Sequence, residues 1–123
     1  MYLEKFKEMF ERMVYKKDAS LIPFYYHKDF VLYANDQEMD YEAYLKFHQE
    51  VYETPIQYDV VYDDETFLEQ GEKIAGRVWI TTRLPSGLPK KIEVIFIAQF
   101  KDDKIYRIWE LTHPDWSKMS EFQ

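Results

Sequence analysis

Two long runs of alternating side chains, Lys90–Phe100 and Lys104–His113, lie on either side of Lys101-Asp102-Asp103. Alternation of period two sends successive side chains to opposite faces of a sheet, so this stretch predicts a β-hairpin with two distinct faces. On its second strand one face carries Tyr106, Ile108, Glu110 and Thr112. A carboxylate in an otherwise apolar row is the clearest chemical signal in the chain.

The hairpin closes a region of strand character that begins after Pro55. Ile56–Tyr62, Thr66–Glu69 and Glu72–Leu84 also read as strands, joined by polar segments, Gly71 and the Pro85-Ser86-Gly87 turn. Upstream, the period is helical. Leu3, Phe6, Phe10, Met13 and Val14 form one apolar stripe, broken at Lys16-Lys17-Asp18. A second short helix is expected near Ser20 as N-cap, with Pro23 in its first turn, where a missing N–H costs little. His27–Asp29 are expected to end it, Phe30–Ala34 to form a brief strand and Asn35-Asp36-Gln37 a loop. Asp40 is the expected cap of a third helix running to about Glu53, stopped by Pro55. Helices first and antiparallel strands after predict an α+β domain, with helices covering one face of a bent sheet.

At 123 residues the chain predicts a single domain, residues 1–123. A net charge of −7 disfavours nucleic acid and anionic membranes, which require clustered Lys and Arg. The lack of cysteine excludes disulfides, thiolate nucleophiles and Cys-ligated metals. No apolar run reaches the ~20 residues of a membrane span, and Met1–Arg12 has no signal-peptide core. A soluble, cytoplasmic protein is the expectation. The three histidines lack metal-ligand spacing, and no Gly-rich phosphate loop exists, so neither metal nor cofactor is expected. Asp63-Asp64-Glu65 reads as a solvated hairpin end. Trp116, Met119 and Phe122, three apart, read as one apolar side of a terminal turn covering the domain or a partner, with tail packing preferred to a ligand clamp.

The order of elements and several local signatures resemble the nuclear transport factor 2-like superfamily, including SnoaL-like polyketide cyclases and ketosteroid isomerases. The matching pieces are the first helix, Asp18 through Tyr26-His27-Lys28-Asp29-Phe30, Asp40 through Phe47, and Phe100–Ile105 leading to Ile108-Trp109-Glu110. The resemblance implies a cone: three N-terminal helices on the concave side of a strongly bent, mixed or antiparallel sheet, with a pocket between. It turns Ile74, Gly76, Val78, Ile80 and Thr82 inward, with Ile92, Val94, Phe96 and Ala98, and with Ile108, Glu110 and Thr112. The opposite face, with Trp79, Ile95, Ile97, Trp109 and Leu111, is too apolar for water. A homodimer formed through that face is expected.

Within such a pocket Glu110 and His48 are the candidate catalytic residues. A carboxyl among Ile108, Val94 and Phe96 is desolvated, which raises its pKa toward neutrality and suits it to proton transfer. The alternative is a Glu near the cone mouth bonded to a Tyr hydroxyl or to Arg. His48 shares a helical stripe with Tyr41, Tyr44, Leu45 and Tyr52. Beside Glu110 it would form an acid–base pair in which each partner stabilises the other's charged form. The alternative is a partly buried histidine bonded to a backbone carbonyl or Tyr. Expected ligand contacts are Phe10, Val14, Tyr26, Tyr44, Val78, Ile80, Val94, Phe96, Ile108 and Thr112, around a small hydrophobic or ring-containing molecule. An open cavity of roughly 300 Å³ or more reaching Glu110 favours ligand binding, and a collapsed one favours a non-catalytic association module. Carried residue by residue, the isomerase pattern places its catalytic tyrosine at Phe10, its base at Ala34 and its acid at Phe96. None can move a proton, so ketosteroid isomerisation is not expected. The epoxide-hydrolase pattern keeps only Glu110.

Overall fold

A computed structural model of the chain describes residues 1–122. The order is α1 (Tyr2–Met9), a π-helical turn (Phe10–Val14), a 3-10 turn (Ala19–Leu21), α2 (Ile22–Tyr25), β1 (Tyr26–Ala34) and β2 (Gln37–Asp40). There follow α3 (Tyr41–Val51), β3 (Gln57–Gln70), β4 (Lys73–Arg83), β5 (Lys90–Lys101) and β6 (Lys104–His113), then 3-10 turns at Trp116–Lys118 and Ser120–Phe122. The six strands form one open mixed sheet in the order β2-β1-β6-β5-β4-β3. β1 runs parallel to β6, and every other neighbouring pair is antiparallel. This is the α+β arrangement that the change of period at Pro55 predicts. No helix is long and apolar enough to cross a membrane among the described residues.

The hairpin turn is tighter than the sequence suggests. Lys101 pairs with Lys104, so only Asp102 and Asp103 form the loop, both at positive φ (52° and 61°). A type I′ turn requires that pair of left-handed residues, and aspartate tolerates it better than most. Alternation then sets the faces. Ile74, Gly76, Val78 and Thr82 on β4 and Ile92, Val94, Phe96 and Ala98 on β5 are buried. They pack against Phe6, Met9, Phe10 and Met13 of the first helical segment, with Phe6 stacked on Phe96 at 4.6 Å between ring centres. The other face leaves Ile95 (53%), Ile97 (47%), Trp109 (37%) and Leu111 (65%) exposed. Trp79 on that face is half-covered, with the Arg77 guanidinium over its ring.

Several local expectations are corrected. The cap of the second helical segment is Asp18, which accepts from Ser20 N at 3.1 Å; Ser20 itself sits inside the turn. His27–Asp29 belong to β1 rather than to a helix end, because Tyr26 pairs with Ile105 and starts the strand earlier. Gln37 begins β2 rather than completing a loop. Thr66–Glu69 is not a separate strand. β3 runs through Asp63-Asp64-Glu65 with an irregularity in register between Asp63 and Leu68. Asp63 is therefore no solvated hairpin end: it accepts from the Arg77 guanidinium at 2.7 Å, while Asp64 meets Lys7 at 2.9 Å. The irregularity lays Phe67 against the backbone of Gly76, where a Cβ would overlap the ring.

α3 starts as expected. The Asp40 carboxylate accepts from Ala43 N at 2.9 Å, a cap worth about 1 kcal/mol. Its helical residues end at Val51, two short of the expected end, followed by a turn into β3.

Candidate functional site: an aromatic cavity with one carboxyl

The first helical segment, α3 and the tail enclose a cavity of about 150 Å³ against the concave sheet face. The helical turn contributes Phe10 and Val14, β1 Tyr26, α3 Tyr44 and His48, β4 Val78 and Ile80, β5 Val94 and Phe96, and β6 Ile108 and Glu110. The π-helical turn widens the end of α1 where Phe10 and Val14 face this space. Thr112 does not line it. Asn35 holds Thr112 at the sheet end instead, its Nδ2 donating to Thr112 Oγ1 and its Oδ1 accepting from Thr112 N, both at 2.9 Å. Asn35 N also donates to the Glu110 carbonyl at 3.0 Å, so one residue of the β1–β2 turn fixes the backbone on both sides of Leu111. Reading this segment as a loop hides that role. Its signal is an Asn able to adopt positive φ (56°) at a turn.

Glu110 lies on a central strand between Ala34 of β1 and Phe96 of β5, its register partners. Both are apolar, and its carboxyl makes no hydrogen bond or ion pair among the described residues. Glu110 lines the cavity, and burial pushes its pKa up to about 7. Across the cavity, His48 Nδ1 lies 2.8 Å from the Tyr44 carbonyl. A carbonyl only accepts, so Nδ1 carries the proton and Nε2 is left with its lone pair. Burial pushes the His48 pKa down to about 4, against the smaller opposing effect of that hydrogen bond.

The two groups therefore do not form the expected charged pair. No hydrogen bond joins them, and each is driven toward its neutral form by loss of water. Their usual order is inverted: the carboxyl holds its proton to higher pH than the imidazole. Below about pH 7, and above about pH 4, the site holds a carboxylic acid able to donate and an imidazole able to accept. Tyr26 and Tyr44 bond to each other at 2.7 Å rather than to Glu110, and burial raises both phenol pKa values.

Part of the wall is absent from the expected ligand contacts, although Tyr52 shares the His48 stripe and the tail is expected to pack on the domain. Phe47, Val51 and Tyr52 of α3 and the following turn, Tyr58 of β3, and Trp116 and Phe122 of the tail all border the cavity. The stripe 44, 48, 51 and 52 carries the helical part of that signal. Trp116 packs on Phe47 at 5.2 Å, and Glu121 ties the tail to Lys90 at 2.8 Å. The tail is thus a side of the pocket as well as a packed end.

No protein-family profile and no curated protein matches this sequence. Solved structures do. TsrD from Streptomyces laurentii superposes with a TM-score of 0.72 at 15% identity, over 94% of this chain and 92% of that one. The chain has the nuclear transport factor 2-like fold. An LEH-like epoxide hydrolase of M. tuberculosis shares it at TM-score 0.72 and 10% identity, over 89% of this chain and 83% of the other. A SnoaL-like protein of Jannaschia sp. CCS1 does so at 0.66 and 12%, with the same coverage. At these identities the likeness concerns the fold alone. In this nuclear transport factor 2-like chain the positions beside Glu110 are apolar, and among the described residues Glu110 is the one acidic side chain on the cavity wall.

Proposed function

We propose that this protein binds a compact, largely apolar, ring-sized molecule in the cavity, and that Glu110 gives or takes a proton there. The observation that carries this reading is a carboxyl without a protein partner, facing an apolar cavity. Native structures pair their buried polar groups, and exceptions mark sites where something else supplies the partner. At about 150 Å³ the space is half the roughly 300 Å³ where ordinary ligand sites begin. It is neither collapsed nor roomy: an apolar cavity of about 150 Å³ in another protein admits benzene. A single ring fits, and a fused-ring substrate requires the Trp116–Phe122 side to move.

The chemistry available is proton transfer, of the isomerase, cyclase or lyase type, with Glu110 as acid or base. His48 Nε2 is the complementary acceptor, and Tyr26 and Tyr44 form a rigid hydroxyl pair in the wall. Neighbours of this fold that include an epoxide hydrolase accord with small-molecule chemistry in the cone. The exposed face of Ile95, Ile97, Trp109 and Leu111 supports association with a second copy, which is compatible with an open pocket on the other face.

A thermal-shift screen of single-ring compounds tests the pocket. For compounds that bind, NMR detection of ligand hydrogen exchange with deuterated solvent tests the proton transfer. Stabilisation by a subset, with exchange lost in Glu110→Gln, is the expected result. Failure of every single-ring compound to bind defeats the pocket, and exchange that survives in Glu110→Gln defeats the role of the carboxyl.

A further inference from the structure

We propose that the cavity takes a small amine, an ammonium group on a compact apolar body, with the Glu110 carboxylate as counter-ion and His48 Nε2 as a second acceptor. This deepens the cavity reading above and rests on it. Three independent features of the molecule point the same way.

The first is the polarity of the cavity-facing groups. Among the described residues no Lys or Arg lines the space, and Glu110 is its one acidic side chain. His48 is a wall residue whose Nδ1–H is committed to the Tyr44 carbonyl, so its Nε2 can only accept. A carboxylate and an imidazole lone pair call for a ligand that brings hydrogen-bond donors, and an ammonium brings up to three. A carboxylate or phosphate ligand would meet like charge with no cation to offset it.

The second is the wall. Tyr44, Phe47, Tyr52, Phe96 and Trp116 line the same cavity as the carboxyl, so much of its wall is aromatic. Aromatic faces attract a desolvated cation through the ring quadrupole, and they accept the apolar body equally well. One carboxylate inside an aromatic wall suits the two ends of such a ligand.

The third is long-range. The chain carries a net charge of −7, so its field draws cations and repels anions as they approach.

Binding has a defined proton balance. In the empty cavity Glu110 is protonated below about pH 7, for want of water or a cation. An ammonium arriving from solution displaces that proton, which leaves to solvent, and the bound state is a neutral ion pair. Among the described residues the other titratable groups of the cavity are Tyr26 of β1, Tyr44 and His48 of α3, Tyr52 after α3, and Tyr58 of β3. Burial keeps all these tyrosines protonated beyond pH 8 and His48 neutral above about pH 4, so of these described groups only Glu110 exchanges a proton between pH 5 and 8.

Benzylamine, benzyl alcohol and benzoate share one ring and differ in the group that would meet Glu110. Calorimetric titration of the full chain at pH 8 should show benzylamine binding about tenfold or more tighter than benzyl alcohol, with benzoate not binding. In Glu110→Gln the amine should lose its advantage while benzyl alcohol still binds, which also shows that the variant is folded with its cavity intact. At pH 5.5, paired titrations in buffers of different ionisation enthalpy should show close to one proton released per benzylamine bound, falling toward zero by pH 8. Benzyl alcohol binding as tightly as benzylamine overturns the amine proposal and leaves the cavity reading standing. An amine preference that persists in Glu110→Gln overturns the assignment of the counter-ion. No binding by any of the three defeats both readings together.

Discussion

Replacing Glu110 by Gln should make the protein more stable at pH 8 and leave its stability unchanged at pH 4. The carboxyl moves from an ordinary 4.5 to about 7 on folding. At about 1.4 kcal/mol per pH unit, the ionised group costs the native state about 3 kcal/mol once the pH exceeds 7. Between pH 4.5 and 7 the native state binds more protons than the unfolded chain, so stability falls as the pH rises. His48 acts in the opposite sense. Its pKa falls from 6.5 to about 4, so the native state binds fewer protons in that interval. Stability there is lost as the pH drops, again by about 3 kcal/mol when complete. Between pH 4.5 and 6.5 the two slopes cancel, and the wild-type profile should be nearly flat. Glu110→Gln removes one slope and exposes the other. Urea denaturation followed by tryptophan fluorescence at pH 4, 6 and 8 should show the variant ahead by up to about 3 kcal/mol at pH 8. The gap should close as the pH falls to 4, while the variant itself weakens below pH 6.5. His48→Gln should give the mirror image, gaining stability from pH 7 to 4.5. A variant no more stable than wild type at pH 8, or a gap that does not shrink on acidification, would falsify the account of Glu110 as a desolvated, unpaired carboxyl.

Asn35→Ala removes both hydrogen bonds to Thr112 and should cost about 1–3 kcal/mol by thermal or urea denaturation, with weaker binding in the cavity because the Glu110 backbone loosens. Gly76→Ala places a methyl in the Phe67 ring and should cost roughly 1–3 kcal/mol; pairing it with Phe67→Ala should make the change much cheaper, and an additive double variant refutes the contact. Sedimentation velocity at micromolar concentration should show a dimer that Trp109→Glu or Leu111→Lys dissociates, whereas a wild-type monomer rules out association through that face. Isomerisation of a 5-ene-3-ketosteroid should stay at the uncatalysed rate, since Phe10, Ala34 and Phe96 carry no proton to transfer, and measurable turnover contradicts that placement.

Alternation in β4, β5 and β6 assigns each residue to a face of the sheet, and burial follows it from Ile74 to Ala98. Covalent geometry alone imposes that periodicity, so the two faces, the lone carboxyl on one and the apolar patch on the other are legible before folding. Local chemistry likewise marks the Asp40 cap and the break at Pro55. What one chain cannot announce is which strands become neighbours. The parallel pairing of β1 with β6 joins residues 26–34 to 105–110 and brings Ala34 beside Glu110. That pairing lengthens β1 and turns Asn35 from a loop residue into the clamp on Thr112. Likewise the irregularity in β3 gives Asp63 to Arg77 and lays Phe67 on Gly76. The reversal of roles between Glu110 and His48 is of the same kind. In sequence they are an acid and a base of ordinary strength. Their proton affinities are set by how much water the assembled walls remove from each, and desolvation depends on every neighbour in three dimensions rather than on the order of residues along the chain.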